Sequence, residues 1–202
     1  LLKKVPVFLD SPLAIKVTDV YKRYGKTFFN AERQKELLRE QDLFTFPFLT
    51  LTSRREESEK IKETPNPKII IAGSGMSNGG RIIHHEKNYL PDANNTILLV
   101  GYQSAGTLGR LIQDGVKMLR IQGEEIPLRA RIEKINGYSG HKDSDHLLEF
   151  VSKTAHTLKK VFVVMGEPKS ALFLAQKLHD NLGIDVMVPD KNDSVILSCG
   201  TK

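Results

Sequence analysis

The sequence has few of the residues and patterns that would place it outside the soluble globular class. Its 202 residues contain one cysteine, Cys199, and no tryptophan. A single cysteine excludes an internal disulfide and a cysteine metal cluster, so any metal would need histidine or carboxylate ligands. The apolar runs, such as residues 68–72, fall far short of the ~20 residues of a membrane span, and no signal pattern opens the chain. We therefore expect a soluble, cytoplasmic protein with no membrane partner.

Positive charge exceeds negative charge only modestly in this sequence. Thirty Lys and Arg residues against 24 Asp and Glu residues give a net charge of +6. This balance favours polyanionic partners such as nucleic acid or phosphorylated ligands, although many basic proteins bind neither. The run RREESEK mixes both signs, which is typical of a solvated surface rather than of a binding patch.

Strand and helix patterns alternate through the first part of the chain. Strands are predicted at residues 5–9, 68–72 and 95–100, and helices at residues 12–23, 81–89 and 107–113. Ser11 is a candidate N-cap for the first helix, and Pro12 suits its first turn. Three strand-then-helix units are typical of an α/β fold, with a parallel sheet and helices on its faces.

The pattern changes after Gly115. Sheet is predicted at residues 118–121 and 126–135, and a turn then leads into a helix. The apolar segment KKVFVVMGE predicts a buried strand, an amphipathic helix begins at Pro168, and the segments IDVMVP and SVILS predict closing strands. We expect a domain boundary here, with residues 1–116 in one domain and residues 117–202 in the next.

The turn of the second strand-helix unit is rich in glycine. Its candidate ligand-binding residues are Gly73, Ser74, Gly75, Ser77, Asn78 and Gly79, with Arg81 in the first turn of the following helix. Glycines let backbone amides approach an anion closely, and a helix N-terminus adds partial positive charge. The dinucleotide fingerprint is not matched, because Gly79 comes one residue late, and no P-loop lysine follows. Two interpretations remain, a phosphate site and a tight turn without a ligand.

The histidines do not form an obvious metal site. His84 and His85 are adjacent on a predicted helix and point about 100° apart, so at least one is expected to be packed or on the surface. His141 lies in YSGHKDSDH, in a turn before a helix, where an imidazole is available as an acid, a base or a ligand. An ordinary turn histidine is the other interpretation. No HxH or HxxxH pair provides a metal cradle, so no complete metal site is predicted.

Four segments carry a resemblance to a known family. They are PVFLDSPLAIKVTDVY, AGSGMSNGGRIIHHEKNYLPDANNTILLVGYQSAGTLGRLI, QGEEIPLRARIEKINGYSGHKD and VFVVMGEP. In content and order they resemble the C-terminal half of β-CASP metallo-β-lactamase-fold ribonucleases. This family includes the endonuclease subunit of the eukaryotic cleavage and polyadenylation specificity factor and its bacterial and archaeal relatives.

The resemblance implies a Rossmann-like β-CASP domain inserted into a metallo-β-lactamase αββα sandwich. Residues 1–116 would then be the end of the β-CASP domain, and residues 117–202 the C-terminal part of the sandwich. RNA would run between the two domains to a two-zinc centre, and the loop of residues 73–80 would help to hold its backbone. His141 matches the motif B histidine of the family, which stabilises charge near the scissile phosphate or protonates the leaving oxygen. A metal-activated water would attack the phosphorus.

The sequence departs from the family pattern in two places. The N-terminal half, which carries the HxHxDH motif and most zinc ligands, is absent, and the chain has no initiator methionine. Met165 replaces the motif C histidine, and a thioether is a poor zinc ligand, so we expect Met165 to pack into the core. We therefore expect a fragment or one part of a split protein, inactive and without zinc when alone. It would need the missing half or a partner chain, and a homodimer is possible.

Two other functions stay open. A non-catalytic RNA-binding or scaffold protein would explain Met165 and the missing half. A DNA-directed nuclease is also compatible, because a phosphate-binding loop does not distinguish DNA from RNA.

Overall fold

The computed structural model describes residues 5–40 and 43–197, with the side chain of Glu40 excepted. The expectations that concern residues 1–4 and Cys199 lie outside these residues. The described residues fall into two compact units, which divide between Ser139 and Gly140. None of the helices in these residues is both long enough and apolar enough to cross a membrane.

The first unit alternates strands and helices along the chain. Its strands are Val7–Asp10 (β1), Leu49–Leu51 (β2), Ile69–Ala72 (β3), Thr96–Val100 (β4), Met118–Ile121 (β5), Glu124–Pro127 (β6) and Arg131–Ile135 (β7). Its helices are Pro12–Phe28 (α1), Ala31–Glu40 (α2), Arg55–Lys60 (α3), Ile82–Tyr89 (α4) and Leu108–Gln113 (α5). The three predicted strand-helix units are confirmed, and so is the α/β class.

Three strands of the first unit form a parallel sheet in the order β2-β1-β3. Val7 of β1 is in register with Leu49 on one side and with Ile69 on the other. Because the strands are parallel, their carboxyl ends lie at one edge, which we call the carboxyl edge. Asp10, Thr52 and Gly73 lie at or just after these three ends. Ligands commonly bind at this edge in α/β folds.

The third predicted unit does not extend that sheet. Within the described residues, β4 pairs in parallel with β7 instead, and the amide of Gly101 continues the ladder by donating to Ile135 O at 3.2 Å. The third unit therefore lies in a separate parallel sheet, and the predicted α/β class with parallel strands is confirmed. Strands β5 and β6 form an antiparallel hairpin.

One apolar core is shared by the hairpin, strand β4 and helices α4 and α5. Its buried members are Ile83, Leu90, Leu99, Ile112, Leu119, Ile121, Ile126 and Ala130. Residues 117–135 thus pack within the first unit, and the compact units divide later than residue 116. The boundary between residues 116 and 117 stays a prediction about family domains.

The second unit is smaller and has little sheet. Its elements are Ser144–Ser152 (α6), Val161–Phe162 (β8), Pro168–Leu182 (α7) and Val186–Met187 (β9). Helix α7 begins at Pro168 as predicted, and Gly183, with φ of 63°, ends it. The predicted strands around β8 and β9 are reduced to two residues each, because these strands pair only with each other in the described residues. Residues 194–197 form no strand, and the last residue of the predicted SVILS strand is outside the described residues.

Apolar side chains remain uncovered on the second unit. Those with large exposed fractions include Phe150, Val164, Leu172 and Phe173. Large apolar side chains left exposed together are typical of interaction sites.

Candidate functional site

A buried carboxylate joins the strand ends at the carboxyl edge. Asp10, the last residue of β1, is fully buried. It accepts hydrogen bonds from four side chains, namely Thr52 Oγ1 at 2.6 Å, Ser58 Oγ at 2.5 Å, Arg81 Nη1 at 2.5 Å and His85 Nε2 at 2.6 Å. An ionised carboxylate only accepts, so Nε2 of His85 carries the proton in this contact.

The four donors keep Asp10 ionised. Burial by itself would raise the pKa of Asp10, but hydrogen bonds from Ser58, Thr52, His85 and Arg81 outweigh it and hold the pKa below its usual value of 3.8. A carboxyl group whose pKa is lowered by folding stabilises the folded protein at pH values above its unfolded-state pKa. That contribution is lost as the pH falls through the folded-state value.

Arg81 connects the same strand ends through its guanidinium. Besides the bond to Asp10, its Nη1 donates to Thr52 O at 2.5 Å, and its Nη2 donates to Ser53 O at 2.7 Å. Its side chain is 17% exposed. Arg81 was predicted to supply charge to a phosphate. In the structure these donors are used by protein groups, so Arg81 stabilises the wall of the site.

The glycine-rich loop between β3 and α4 is closed by its own backbone. Ser74 N–H donates to Gly79 O at 3.1 Å, and Ile82 N–H donates to Gly73 O at 3.1 Å. Gly80 has a φ of 77°, and a Cβ at this position would lie 2.6 Å from Gly73 O. Only glycine therefore fits there without displacing the loop.

The turn that follows β4 supports this loop from the side. Gln103 Nε2 donates to Gly75 O at 2.9 Å, and Gly109 N–H donates to Met76 O at 3.0 Å. A Cβ on Gly109 would lie 1.9 Å from Gln103 Oε1. The close approach of the two turns thus depends on a missing side chain at Gly109.

The polar residues of the loop divide into an inner and an outer set. The Ser77 hydroxyl is buried and donates to Glu86 Oε1, so it faces the protein and not a ligand. Ser74, Gly75 and Asn78 are exposed. Of the predicted phosphate donors, these three residues are therefore the ones open to solvent.

Glu86 is buried on helix α4 beneath the loop. Burial raises the pKa of Glu86 to about 7, and the hydrogen bond from Ser77 offsets only part of this effect. Its second oxygen, Oε2, has no hydrogen-bond partner among the described residues. The carboxyl group therefore titrates near neutral pH in the folded protein.

An open cavity of about 820 Å³ lies beside the loop at the carboxyl edge. We call it the carboxyl-edge cavity. Its wall includes Ser11, Lys62, Ser74, Arg81, His84 and Asn88. Ser11 is the N-cap of α1 and accepts from Ala14 N–H at 3.3 Å, as its position before Pro12 predicts.

The two adjacent histidines differ in environment. His85 is buried and bonded to Asp10, which confirms that at least one of the pair is packed. His84 is exposed, and both residues contribute to the cavity wall. Neither Asp10 nor His84 was predicted as a site residue from the sequence. The available signal was the position of Asp10 at the end of a predicted strand of a parallel sheet.

His141 and Met165 belong to the second unit. His141 is exposed in the bend before α6, and Asp143 caps that helix by accepting from His146 N–H at 2.9 Å. The prediction that Met165 packs into the core was wrong, because its side chain is fully exposed. Strand β8 ends at Phe162, and the backbone turns at Met165 with a φ of 65°. Histidine adopts this left-handed region more often than most non-glycine residues do.

The zinc site implied by the resemblance is not complete in these residues. Among the described residues, no group of three or more His, Cys, Asp or Glu side chains is placed to hold a metal ion. The thioether of Met165 does not substitute for a histidine ligand. The described residues therefore do not provide a complete zinc site by themselves.

Comparison with known proteins agrees with this arrangement. The family model of the Beta-Casp domain matches residues 1–112, and the model described as the Zn-dependent metallo-hydrolase RNA specificity domain matches residues 125–189. The chain therefore belongs to the Beta-Casp family, which confirms the resemblance seen in the sequence.

Relatives of known name cover most of the chain. Ribonuclease TTHA0252 of Thermus thermophilus is 37% identical over 177 residues, which are 88% of this chain and 40% of the relative. Transcription termination factor FttA of Pyrococcus horikoshii is 31% identical over 199 residues, 96% of this chain and 30% of the relative. The FttA of Methanosarcina mazei is 30% identical over 190 residues. The chain thus spans less than half the length of these relatives.

Asp10→Asn tests the buried network. The substitution keeps the shape but removes the negative charge opposite Arg81, which leaves a largely buried cation without its counter-charge. We expect a loss of about 3 kcal/mol in the free energy of unfolding, measured by urea denaturation. Asp19→Asn, an exposed position on α1, is the control and should change stability by less than about 0.5 kcal/mol. Equal effects of the two substitutions would contradict the role of Asp10.

Glu86→Gln tests the buried carboxyl group. Because the folded-state pKa of about 7 lies above the usual 4.5, the folded protein retains a proton that the unfolded chain has released. Wild-type stability should therefore fall as the pH rises from about 4.5 to about 7, and the loss should persist above this range. Glu86→Gln should remove this dependence while still accepting from Ser77. Unfolding measurements across this pH range give the free energy of unfolding at each pH. Glu56→Gln, which replaces an exposed carboxylate, is the control. The same pH dependence of this free energy in wild type and in Glu86→Gln would contradict the role of Glu86.

Proposed function

We propose that this chain is part of a metal-dependent phosphodiesterase that processes RNA, and that its glycine-rich loop binds the RNA backbone. The observation that carries the proposal is the carboxyl-edge cavity beside the loop, in a chain of the Beta-Casp family. Two relatives, a ribonuclease and a transcription termination factor, support RNA as the substrate.

The proposed loop contacts use the exposed part of the loop. Ser74 and Asn78 offer hydroxyl and amide donors, and Gly75 has no side chain to hinder the approach of a phosphate. Ser77 and Arg81 contribute indirectly, because their side chains are bonded to Glu86 and Asp10. In this proposal Gly73 and Gly79 shape the loop through their backbone carbonyls, which accept from Ile82 and Ser74.

His141 is the proposed catalytic residue. His141 is exposed and lies shortly before the N-terminus of α6. In the proposed role it stabilises charge at the scissile phosphate and donates a proton to the leaving oxygen. The motif match at SGH supports this role.

The proposed enzyme needs residues beyond those of this chain. Zinc would supply an activated water and would require ligands from a metallo-β-lactamase half on the same or another polypeptide. The uncovered apolar side chains of the second unit, including Phe150 and Phe173, support a partner surface there. In this proposal residues 117–202 are the C-terminal part of the sandwich, the chain alone is inactive, and the protein works in the cytoplasm. The alternative partner in this proposal is a second copy of the chain, bound through the same apolar side chains.

A second candidate function is a non-catalytic RNA-binding or scaffold protein. The exposed Met165, at the position where the resemblance expects a metal-binding histidine, favours it. A DNA-directed nuclease would use the same phosphate contacts, so the substrate comparison below includes DNA.

His141→Ala tests the catalytic proposal in the longer protein that we propose contains this chain. Loss of a general acid should lower RNA turnover by about 10²- to 10⁴-fold, while the unfolding midpoint stays unchanged. His156→Ala, an exposed histidine of the same unit, is the matched control and should retain full turnover. Cleavage of matched RNA and DNA strands identifies the substrate. Unchanged turnover in His141→Ala would remove the assignment.

Zinc content distinguishes the enzyme from the scaffold. Elemental analysis should find zinc in the longer protein and none in the 202-residue chain, because the described residues provide no complete ligand set. A longer protein that is also free of zinc, and that binds RNA without cleaving it, would favour the scaffold function.

A further inference from the structure

The charges that line the carboxyl-edge cavity are mostly neutralised within the protein. Asp10 is paired with Arg81 and His85. The guanidinium of Arg55 pairs with Glu59 at 2.9 Å. Lys62 also lines the cavity, and its ammonium group forms no ion pair or hydrogen bond among the described residues. The cavity therefore carries an uncompensated positive charge.

Neutral donors around the same cavity are also unused. The side chains of Ser74, His84 and Asn88 form no hydrogen bond within the described part of the chain, although all three line the cavity. Ser11 Oγ accepts one bond, from Ala14 N–H, which leaves its own hydroxyl hydrogen available. Five polar side chains from four separate segments thus direct unused donors or charge towards one space.

The donors around the cavity are suited to binding an oxyanion. A lysine ammonium, an imidazole, an amide and two hydroxyls are donors that suit phosphate oxygens. The wall also includes Pro12 and Leu13, which offer an apolar surface beside the polar groups. A volume of about 820 Å³ is sufficient for a whole nucleotide.

We propose that the carboxyl-edge cavity is a phosphate subsite for a nucleotide chain, formed by Ser11, Lys62, Ser74, His84 and Asn88. This inference rests on the proposed function and deepens it, because it adds Ser11, Lys62, His84 and Asn88, which lie outside the glycine-rich loop, to the proposed contact of Ser74. The buried pair of Asp10 and Arg81 holds the wall in place and does not itself contact the phosphate. Lys62 supplies the charge, and His84 and Asn88 supply directed donors.

The test uses the 202-residue chain and two probes, inorganic phosphate and a short single-stranded RNA. Phosphate should bind saturably and shift the NMR signals of the His84 ring. Lys62→Ala should weaken RNA binding about tenfold and lower the slope of log K against log salt by about 0.7, the value for one phosphate contact on a single strand. His84→Ala should weaken binding without changing the slope.

Lys60→Ala is the matched control, because Lys60 is an exposed lysine of the same segment that does not line the cavity. It should leave RNA affinity and the salt slope at their wild-type values. The bound phosphate is either the terminal 5′-phosphate of the RNA or a phosphate of its backbone. RNAs with a 5′-phosphate and with a 5′-hydroxyl distinguish these two sources. Tighter binding of the phosphorylated version identifies a terminal phosphate, and equal binding identifies a backbone phosphate.

The two proposals fail in different ways. RNA binding that is unaffected by Lys62→Ala and His84→Ala would overturn the subsite and leave the proposed function standing. Phosphate binding at His84 without any binding of RNA would contradict the proposed function. A phosphate titration that leaves the His84 signals unmoved would also overturn the subsite.

Discussion

The first unit depends on one buried carboxylate. Asp10 ends the central strand of the three-stranded sheet and is fully removed from solvent. A buried charge of this kind is costly unless every oxygen is paired, and here four side chains from three other segments provide the pairing. The same hydrogen bonds that stabilise the charge fix the ends of neighbouring strands relative to one another.

The loop and the cavity follow from that arrangement. Arg81 and His85 stand at the start and on the buried side of α4, so their bonds to Asp10 fix the helix that follows the glycine-rich loop. The loop is held from its other side by Gln103 and Gly109. With the internal charges neutralised in this way, the groups left open to the cavity are donors and a lysine, which suit an anionic ligand.

Local signals made part of this structure predictable from the sequence. Ser11 and Pro12 begin α1, Pro168 and Gly183 bound α7, and the glycine-rich turn joins β3 to α4, because caps, prolines and glycines act through neighbouring residues. The pairing of β4 with β7 was not predictable, since strand partners are chosen by contacts distant in sequence. The bond between Arg81 and Asp10 spans 71 residues, and no local pattern indicates it. The apolar run around Met165 predicted a buried strand, but only Val161 and Phe162 find a partner strand.

We propose that RNA binds at the carboxyl edge of the sheet. The most direct measurement is to titrate the isotope-labelled chain with a short single-stranded RNA and follow every backbone amide by NMR. If RNA binds at this edge, the shifts should concentrate at Ser74, Gly75 and Asn78 and at the segments that carry Lys62 and His84. Saturable binding whose shifts leave these residues unchanged and fall elsewhere on the chain would contradict this proposal.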